Sequence, residues 1–251
     1  MHDLSVSAPR SQVNHSMPSR FDVSHLRKSR VFSSLADEEL RPLLSVAQPE
    51  QAAAGQVIVS QSTPVENLFV VTDGHAKVVM TNLEGKEVTL EVLRPGDLIA
   101  ETSLLDGSPT TAAVVALSDV QLLSLPRGEF VKLLGRYPQL SICLLSEMAN
   151  RMRRAEETIF ALALQDIEDR LCRVLLRLAR DESSPPHQGG LLIRRPTQQE
   201  LANMVGATRE SVSRCLSTLV RKGLAVCQGR SMLLTQRLLR RVSPHTDTGC
   251  R

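Results

Sequence analysis

Pairs are what the five cysteines lack. Cys143, Cys172, Cys215, Cys227 and Cys250 include no CxxC spacing, and their number is odd. That excludes a disulfide framework and a cysteine-based zinc site, and it fits reduced thiols in the cytoplasm. Cys172 and Cys215 fall in helical patterns and read as core residues; Cys250 reads as a free tail thiol. Histidine is sparse too. The six stand at 2, 15, 25, 75, 187 and 245, with no HxH or HExxH spacing. Neither a metal site nor a catalytic site is expected, and His75, beside Gly74, reads as an exposed turn residue. A cupin-like enzyme would need a His/Glu cluster within its strands, which is missing, and no local Ser/His/Asp set stands out. No apolar run approaches the length of a membrane span, so no membrane partner is expected. The opening MHDLSVSAPR holds no apolar block, so no signal peptide is expected either.

What is present suits two domains: 251 residues, 42% of them hydrophobic. Residues 1–20 and 243–251 are polar and read as disordered tails. The formal charge of +3 is unevenly split. From Leu164 onward, 15 Lys+Arg face 8 Asp+Glu, a net +7; before it, 15 face 19, a net −4. The C-terminal third is therefore the end suited to a polyanion.

Between Gly55 and Leu125 the chain runs through short β-rich segments: VIVS, NLFVVT, AKVVMT, EVTLEVL, TAAVVAL and VQLLSL. Gly55, Asp73-Gly74, Glu84-Gly85, Pro95-Gly96-Asp97 and Asp106-Gly107 punctuate them. Regularly spaced short strands with glycine turns predict an all-β barrel or sandwich, the centre of an N-terminal domain expected over 21–144. Ahead of it, Val31–Val46 predicts a short helix with Ser34 as N-cap and Glu38 and Glu39 early. Behind it, Leu145, Met148, Met152, Ala155, Ile159 and Leu162 recur in steps of three and four, a coiled-coil seam over 145–164. Such a stripe also serves to cover a domain's own core; its strict alternation favours pairing of two chains. Asp166 can cap a new helix with an acidic first turn, Glu168 and Asp169, running to about Arg180. A hinge is expected at Leu164–Asp166 and a linker at Asp181–Gly190.

The densest signal is Thr197–Leu216, TQQELANMVGATRESVSRCL. It reads as two short helices held by Leu201, Ala202, Val205, Val212 and Leu216, with Gly206 at the sharp turn. Thr208, Arg209 and Glu210 open the second helix, and Arg214 follows one turn later, so its outer face can meet base edges in a major groove. Leu224–Leu234 then predicts a β-wing with Gln228-Gly229 at its tip. The winged unit is expected to span 165–242, giving an α+β chain overall.

Roll, long helix, hinge and winged helix-turn-helix, in that order, resemble the CRP/FNR family of bacterial transcription regulators, over about Val31–Leu234. GDLIAETSLLDGSPTTAAVVAL (Gly96–Leu117) is similar to the family's jelly-roll phosphate-binding cassette, AAAGQVIVSQSTPVENLFVVTDGHAKVV (Ala52–Val79) to its first roll strands, and RESVSR (Arg209–Arg214) to the recognition helix of the CRP branch. The resemblance implies a cytoplasmic homodimer on double-stranded DNA, with Arg209, Glu210 and Arg214 reading a palindromic GTGA-like site. Arginine pairs with guanine and glutamate accepts from cytosine, each pair discriminating by about 1–3 kcal/mol. Thr197 and Gln199 match phosphate-contacting positions, and Gln198 stands where the best-known member has arginine. Thr208, Ser211 and Ser213 complete the expected interface as positioning residues. RNA polymerase is the further partner implied, although the linker resembles the family little.

The effector cassette departs from the family. Ala100 replaces a glycine, Glu101 is kept, and Thr110-Thr111 stands where Arg-Ser or Arg-Thr would be. No Lys or Arg lies between Arg94 and Arg127, so a cyclic phosphate would lack its charge-assisted partner. Ala155 and Glu156 replace the Thr and Ser that contact adenine in the cyclic AMP receptor. Cyclic AMP is therefore not the expected ligand. Glu101, Thr102, Ser103, Thr110, Thr111 and Arg151 remain the candidate pocket for another small molecule. Cyclic di-GMP through Arg151, Arg153 or Arg154, or a vestigial roll with constitutive DNA binding, are the alternatives. No cysteine precedes Cys143, which argues against an iron–sulfur sensor.

Overall fold

The computed structural model describes residues 22–181, 186–187 and 189–242. Both predicted tails, with Cys250, and part of the predicted linker lie outside them. The chain forms two compact units, Met1–Met152 and Arg153–Arg251.

The first unit holds two four-stranded antiparallel sheets. One has β1 (Gln48–Ala52), β8 (Val120–Pro126), β3 (Asn67–Asp73) and β6 (Leu98–Ile99) in that order. The other has β2 (Val57–Val59), β7 (Ala113–Ala116), β4 (Ala76–Thr81) and β5 (Glu87–Leu93). Strand β3 is apolar from Leu68 to Val71 because both faces of its sheet are covered there. Phe69 and Val71, with Leu122 from β8, turn toward the second sheet. Leu68 and Val70, with Leu123 and Leu125, turn the other way onto helices. Those helices are α1 (Val23–Arg27), α2 (Asp37–Val46), α4 (Arg127–Arg136) and the start of α5 (Pro138–Leu164). They contribute Leu26, Leu40, Phe130 and Leu140, all fully buried. Each such side chain stabilises the unit by about 1.5–3 kcal/mol. The short α3 (Glu101–Asp106) follows β6.

Two expectations shift here. The predicted helix over Val31–Val46 is instead a 3₁₀ turn, Phe32–Ser34, followed by α2. Burial of both Phe32 and Leu35 holds Leu35 extended (φ −89°, ψ 148°) and separates the two. Ser34 therefore caps nothing; its hydroxyl donates to the Val31 carbonyl, while the Glu39 carboxylate accepts the Ala36 N–H at 2.7 Å. The long helix begins at Pro138, not at Leu145. Proline suits the first helical position, and the first turns bury Leu140 and Leu144 in the roll core before the seam begins. Met148 joins that cluster too, so this predicted seam residue packs partly within its own unit.

Gly96 adopts φ +102°, and a Cβ there would sit 2.3 Å from the Lys28 carbonyl oxygen. Gly96→Ala is accordingly expected to destabilise the roll by about 2 kcal/mol or more, through both strain and clash. Urea unfolding checks it; an unchanged midpoint would contradict this packing.

The second unit starts in the last turns of α5 and continues with α6 (Ile167–Asp181), whose N-terminus is capped by Asp166 accepting from the Asp169 N–H at 2.8 Å. Then come β9 (Pro186–His187), β10 (Gly190–Arg194), α7 (Gln198–Val205), α8 (Arg209–Arg221), β11 (Ala225–Gln228), β12 (Ser231–Thr235) and α9 (Gln236–Val242). The sheet order is β11-β12-β10-β9, so the predicted linker gives way to a strand pair that backs the wing. Leu171, Leu175, Leu201, Val212, Leu219 and Met232 form a core closed by helices and sheet together. No helix among the described residues is long and apolar enough to cross a membrane.

Candidate nucleic-acid interface

Local chemistry builds the helix pair at the centre of this unit. Thr197 caps α7: its hydroxyl accepts from the Glu200 N–H at 3.1 Å, and the Glu200 carboxylate accepts the Thr197 N–H at 2.6 Å. This reciprocal pair is a capping box. Gly206 ends α7 at φ +68°, the left-handed conformation glycine favours. A Cβ there would also come within 3.2 Å of Leu162. Thr208 is the N-cap of α8, accepting from the Ser211 N–H at 3.3 Å and donating to the Ser211 hydroxyl at 3.0 Å. Leu201, Ala202, Val205, Val212 and Leu216 are all buried between the helices and the rest of the unit.

The outward face of α8 begins with exposed Arg209 and Glu210, and exposed Arg214 follows one turn later. These three, with Gln198 and Ser213, line a concavity of about 450 Å³. Gln198 reaches it from α7, its amide donating to the Ser213 hydroxyl at 3.1 Å. Gln199 turns instead to Asn203, at 2.8 Å. A larger concavity of about 790 Å³ adjoins it, sharing Arg209 and Gln198 and including Thr197 and Gln199. Arg194, Arg195 and Arg230 also line it. Sequence reading missed those three because they come from the end of β10 and from the wing. The wing tip is Gly229–Arg230, one residue later than expected, since Gln228 pairs with Ser231 and Gly229 takes the positive φ of +57°. The Arg195 N–H donates to the Arg230 carbonyl at 2.8 Å, tying that tip to the start of α7. The arrangement gathers arginines from three elements around one exposed helix, which suits a duplex polyanion.

Away from this face, Glu168 on α6 accepts from Lys222 at 2.7 Å and from Arg241 at 2.6 Å. Arg241 also reaches Asp169 at 3.0 Å. Hydrogen bonds from Lys222 and then Arg241 hold the Glu168 carboxyl below the usual glutamate value. A lowered folded-state pKa gives stability that is complete above the ordinary glutamate pKa and fades as the pH falls through the lowered one. Glu168→Gln is expected to cost about 1 kcal/mol at neutral pH and to reduce the loss on acidification. Urea midpoints of both proteins across that range check it; parallel curves would contradict it. Burial pushes the Cys172 thiol up to about 11, so it is a core residue and not a reactive thiolate.

The candidate effector residues lie in the first unit. Glu101 opens α3 and is 4% exposed, preceded by Ala100 in a left-handed conformation at φ +71°. Burial raises the Glu101 carboxyl above its ordinary value, and the Arg151 guanidinium partly opposes this. Ser103 is buried, Thr102 and Thr111 are exposed. The Thr110 hydroxyl is already engaged, donating to the Ser60 carbonyl at 2.6 Å and accepting from the Thr63 N–H at 3.2 Å. Arg151 approaches from α5 and donates to Glu101 and, at 3.1 Å, to the Leu98 carbonyl.

Along α5, Leu145, Met152 and Ile159 repeat every seven residues and are 64%, 63% and 65% exposed. Ala155 and Leu162 are exposed beside them. Large apolar side chains so open and so regular are out of place on a helix facing water.

The chain matches the family model of the cyclic nucleotide-binding domain over residues 49–137 and that of the Crp-like helix-turn-helix domain over residues 169–241. It is 34% identical over 199 residues to the cyclic AMP receptor protein of Thermus thermophilus, covering 79% of this chain and 89% of that one. It is 27% identical over 220 residues to the CRP-like cAMP-activated global transcriptional regulator of Mycobacterium tuberculosis, covering 86% and 97%. A solved cyclic-di-GMP-responsive global regulator of Xanthomonas campestris superposes with a TM-score of 0.71 over 80% of this chain and 99% of that one; at 19% identity the likeness is one of fold.

Proposed function

Because the chain belongs to the CRP/FNR family of DNA-binding transcription regulators, we propose that it acts in the cytoplasm as a homodimer reading a palindromic GTGA-like operator, with a roll that does not take cyclic AMP as its effector. The observation that carries this reading is the exposed trio Arg209, Glu210 and Arg214 on the first turns of a capped helix. Arginine can bond guanine O6 and N7 at once, and glutamate accepts from the cytosine amino group. Thr197, Gln199, Arg194, Arg195 and Arg230 surround that helix and serve the sugar–phosphate strands. The exposed apolar repeat on α5 pairs two chains, and two-fold symmetry then sets two recognition helices about one DNA turn apart, roughly 34 Å. The hinge expected at Leu164–Asp166 coincides with the break between α5 and α6, which lies within the second unit. RNA polymerase is the further partner that family membership brings into the reading.

Fluorescence anisotropy with a palindromic GTGA-type duplex and a scrambled one, titrated with salt, tests the proposal. Preference for the palindrome by about a thousandfold or more is expected. Equal affinity for both would defeat it.

A further inference from the structure

At the start of α7, one side chain joins the base-facing residues of α8. Thr197, Gln198 and Gln199 all line the larger concavity beside Arg194, Arg195 and Arg230. Of these three, Gln198 also lines the smaller one, whose other walls are Arg209, Glu210, Ser213 and Arg214. Gln198 is half-buried, and its amide donates to the Ser213 hydroxyl at 3.1 Å, bridging α7 to α8. Ser213 lies one turn after Arg209 and next to Arg214. A carboxamide has two N–H donors and a carbonyl acceptor. With one N–H given to Ser213, one N–H and the carbonyl oxygen remain. Adenine offers their complement on its major-groove edge, an acceptor at N7 and a donor at N6.

We propose that Gln198 is a base-reading residue contributed by the first helix of the pair: its carboxamide, held on α8 by Ser213, recognises the adenine of one A·T pair in each half-site. This rests on the reading of the chain as an operator-binding dimer and adds a contact to it. An arginine at this position would carry a charge that phosphates attract on any sequence. Glutamine carries none and displaces no counterion. From the base-facing concavity, its remaining donor and acceptor find their matched partner on adenine, so its contribution depends on the base it meets. Ser213 is a positioning residue. Without its hydroxyl the carboxamide regains rotamer freedom that binding must then remove.

Fluorescence anisotropy of the full chain tests this on GTGA-type palindromes in which each base pair of the half-site is changed in turn, symmetrically, alongside a scrambled duplex. The parent protein is expected to lose about tenfold or more for each half-site changed at one A·T pair. Gln198→Ala should be indifferent to that pair while keeping its discrimination at the guanines. Gln198→Arg should lose the same A·T preference and bind scrambled DNA more tightly. It should also steepen the dependence of log affinity on log salt by about two, one phosphate in each half-site. Ser213→Ala should keep the A·T preference at reduced strength. Equal weakening of Gln198→Ala on every duplex, the scrambled one included, would mark a phosphate contact and overturn the proposal, as would unaltered discrimination at every base pair. Unchanged A·T discrimination in Ser213→Ala overturns the positioning role. Guanine discrimination is read in the same series. Its absence in the parent protein defeats operator recognition itself; its presence without the A·T signature defeats only the assignment of Gln198.

Discussion

Alanine at both Arg209 and Arg214 is expected to erase the preference for the operator while leaving the protein folded and still able to hold DNA. Each arginine–guanine pair discriminates by about 1–3 kcal/mol. A two-fold dimer loses two arginines in each half-site. Even at the low end this removes about 4 kcal/mol, or roughly a thousandfold, which is comparable to the whole specificity of a typical site. Binding to scrambled DNA should persist, because Arg194, Arg195 and Arg230 remain to displace counterions. Both substituted residues are exposed, and surface changes of this kind usually alter stability by no more than about 0.5 kcal/mol. Anisotropy on both duplexes and a thermal melt separate the effects. Retention of full operator preference by the double variant would remove the basis of the reading.

The second large effect is expected at the seam. Met152→Glu combined with Ile159→Glu places two charges in the middle of the stripe on α5. Both residues are more than half exposed within one chain, at 63% and 65%, so the fold of the single chain should tolerate the change. The dimer should not, since each carboxylate would be buried opposite its own copy. Sedimentation is expected to give a monomer. Operator affinity should fall by about a hundredfold or more, because the second half-site is no longer engaged within one molecule. A variant that still sediments as a dimer would show that the stripe is not the pairing surface.

What could be read in the sequence was what is decided locally. The helix pair and its turn at Gly206 were legible, because these are settled locally; the second helix runs on to Arg221, past the Leu216 at which the sequence signal stopped, and Thr208 caps it rather than opening it. Six strands were legible as apolar runs between glycines. Strand β1 was not: QPEQA is polar, and only Ala52 of it is buried, so nothing in the run announces an edge strand. Strand β10 hid behind the glycines of a predicted linker. The start of α5 was obscured because Leu140 and Leu144 serve the roll while the residues after them serve the seam, and the two periodicities meet without a break. The pairing of Glu101 with Arg151 spans 50 positions, and no local pattern carries such a contact. Arg194, Arg195 and Arg230 were missed for the same reason, since only the folded sheet brings them to one face.

On the proposed reading, two copies of one short helix set their arginines against guanines in successive major grooves. Dimethyl sulfate protection of guanine N7 on a GTGA-type palindrome reads those contacts directly, since N7 is the acceptor arginine would take. The account predicts protected guanines in both half-sites, centred about one helical turn apart, and their loss with Arg209→Ala/Arg214→Ala. Full occupancy of the duplex with every guanine N7 still open to methylation would contradict it.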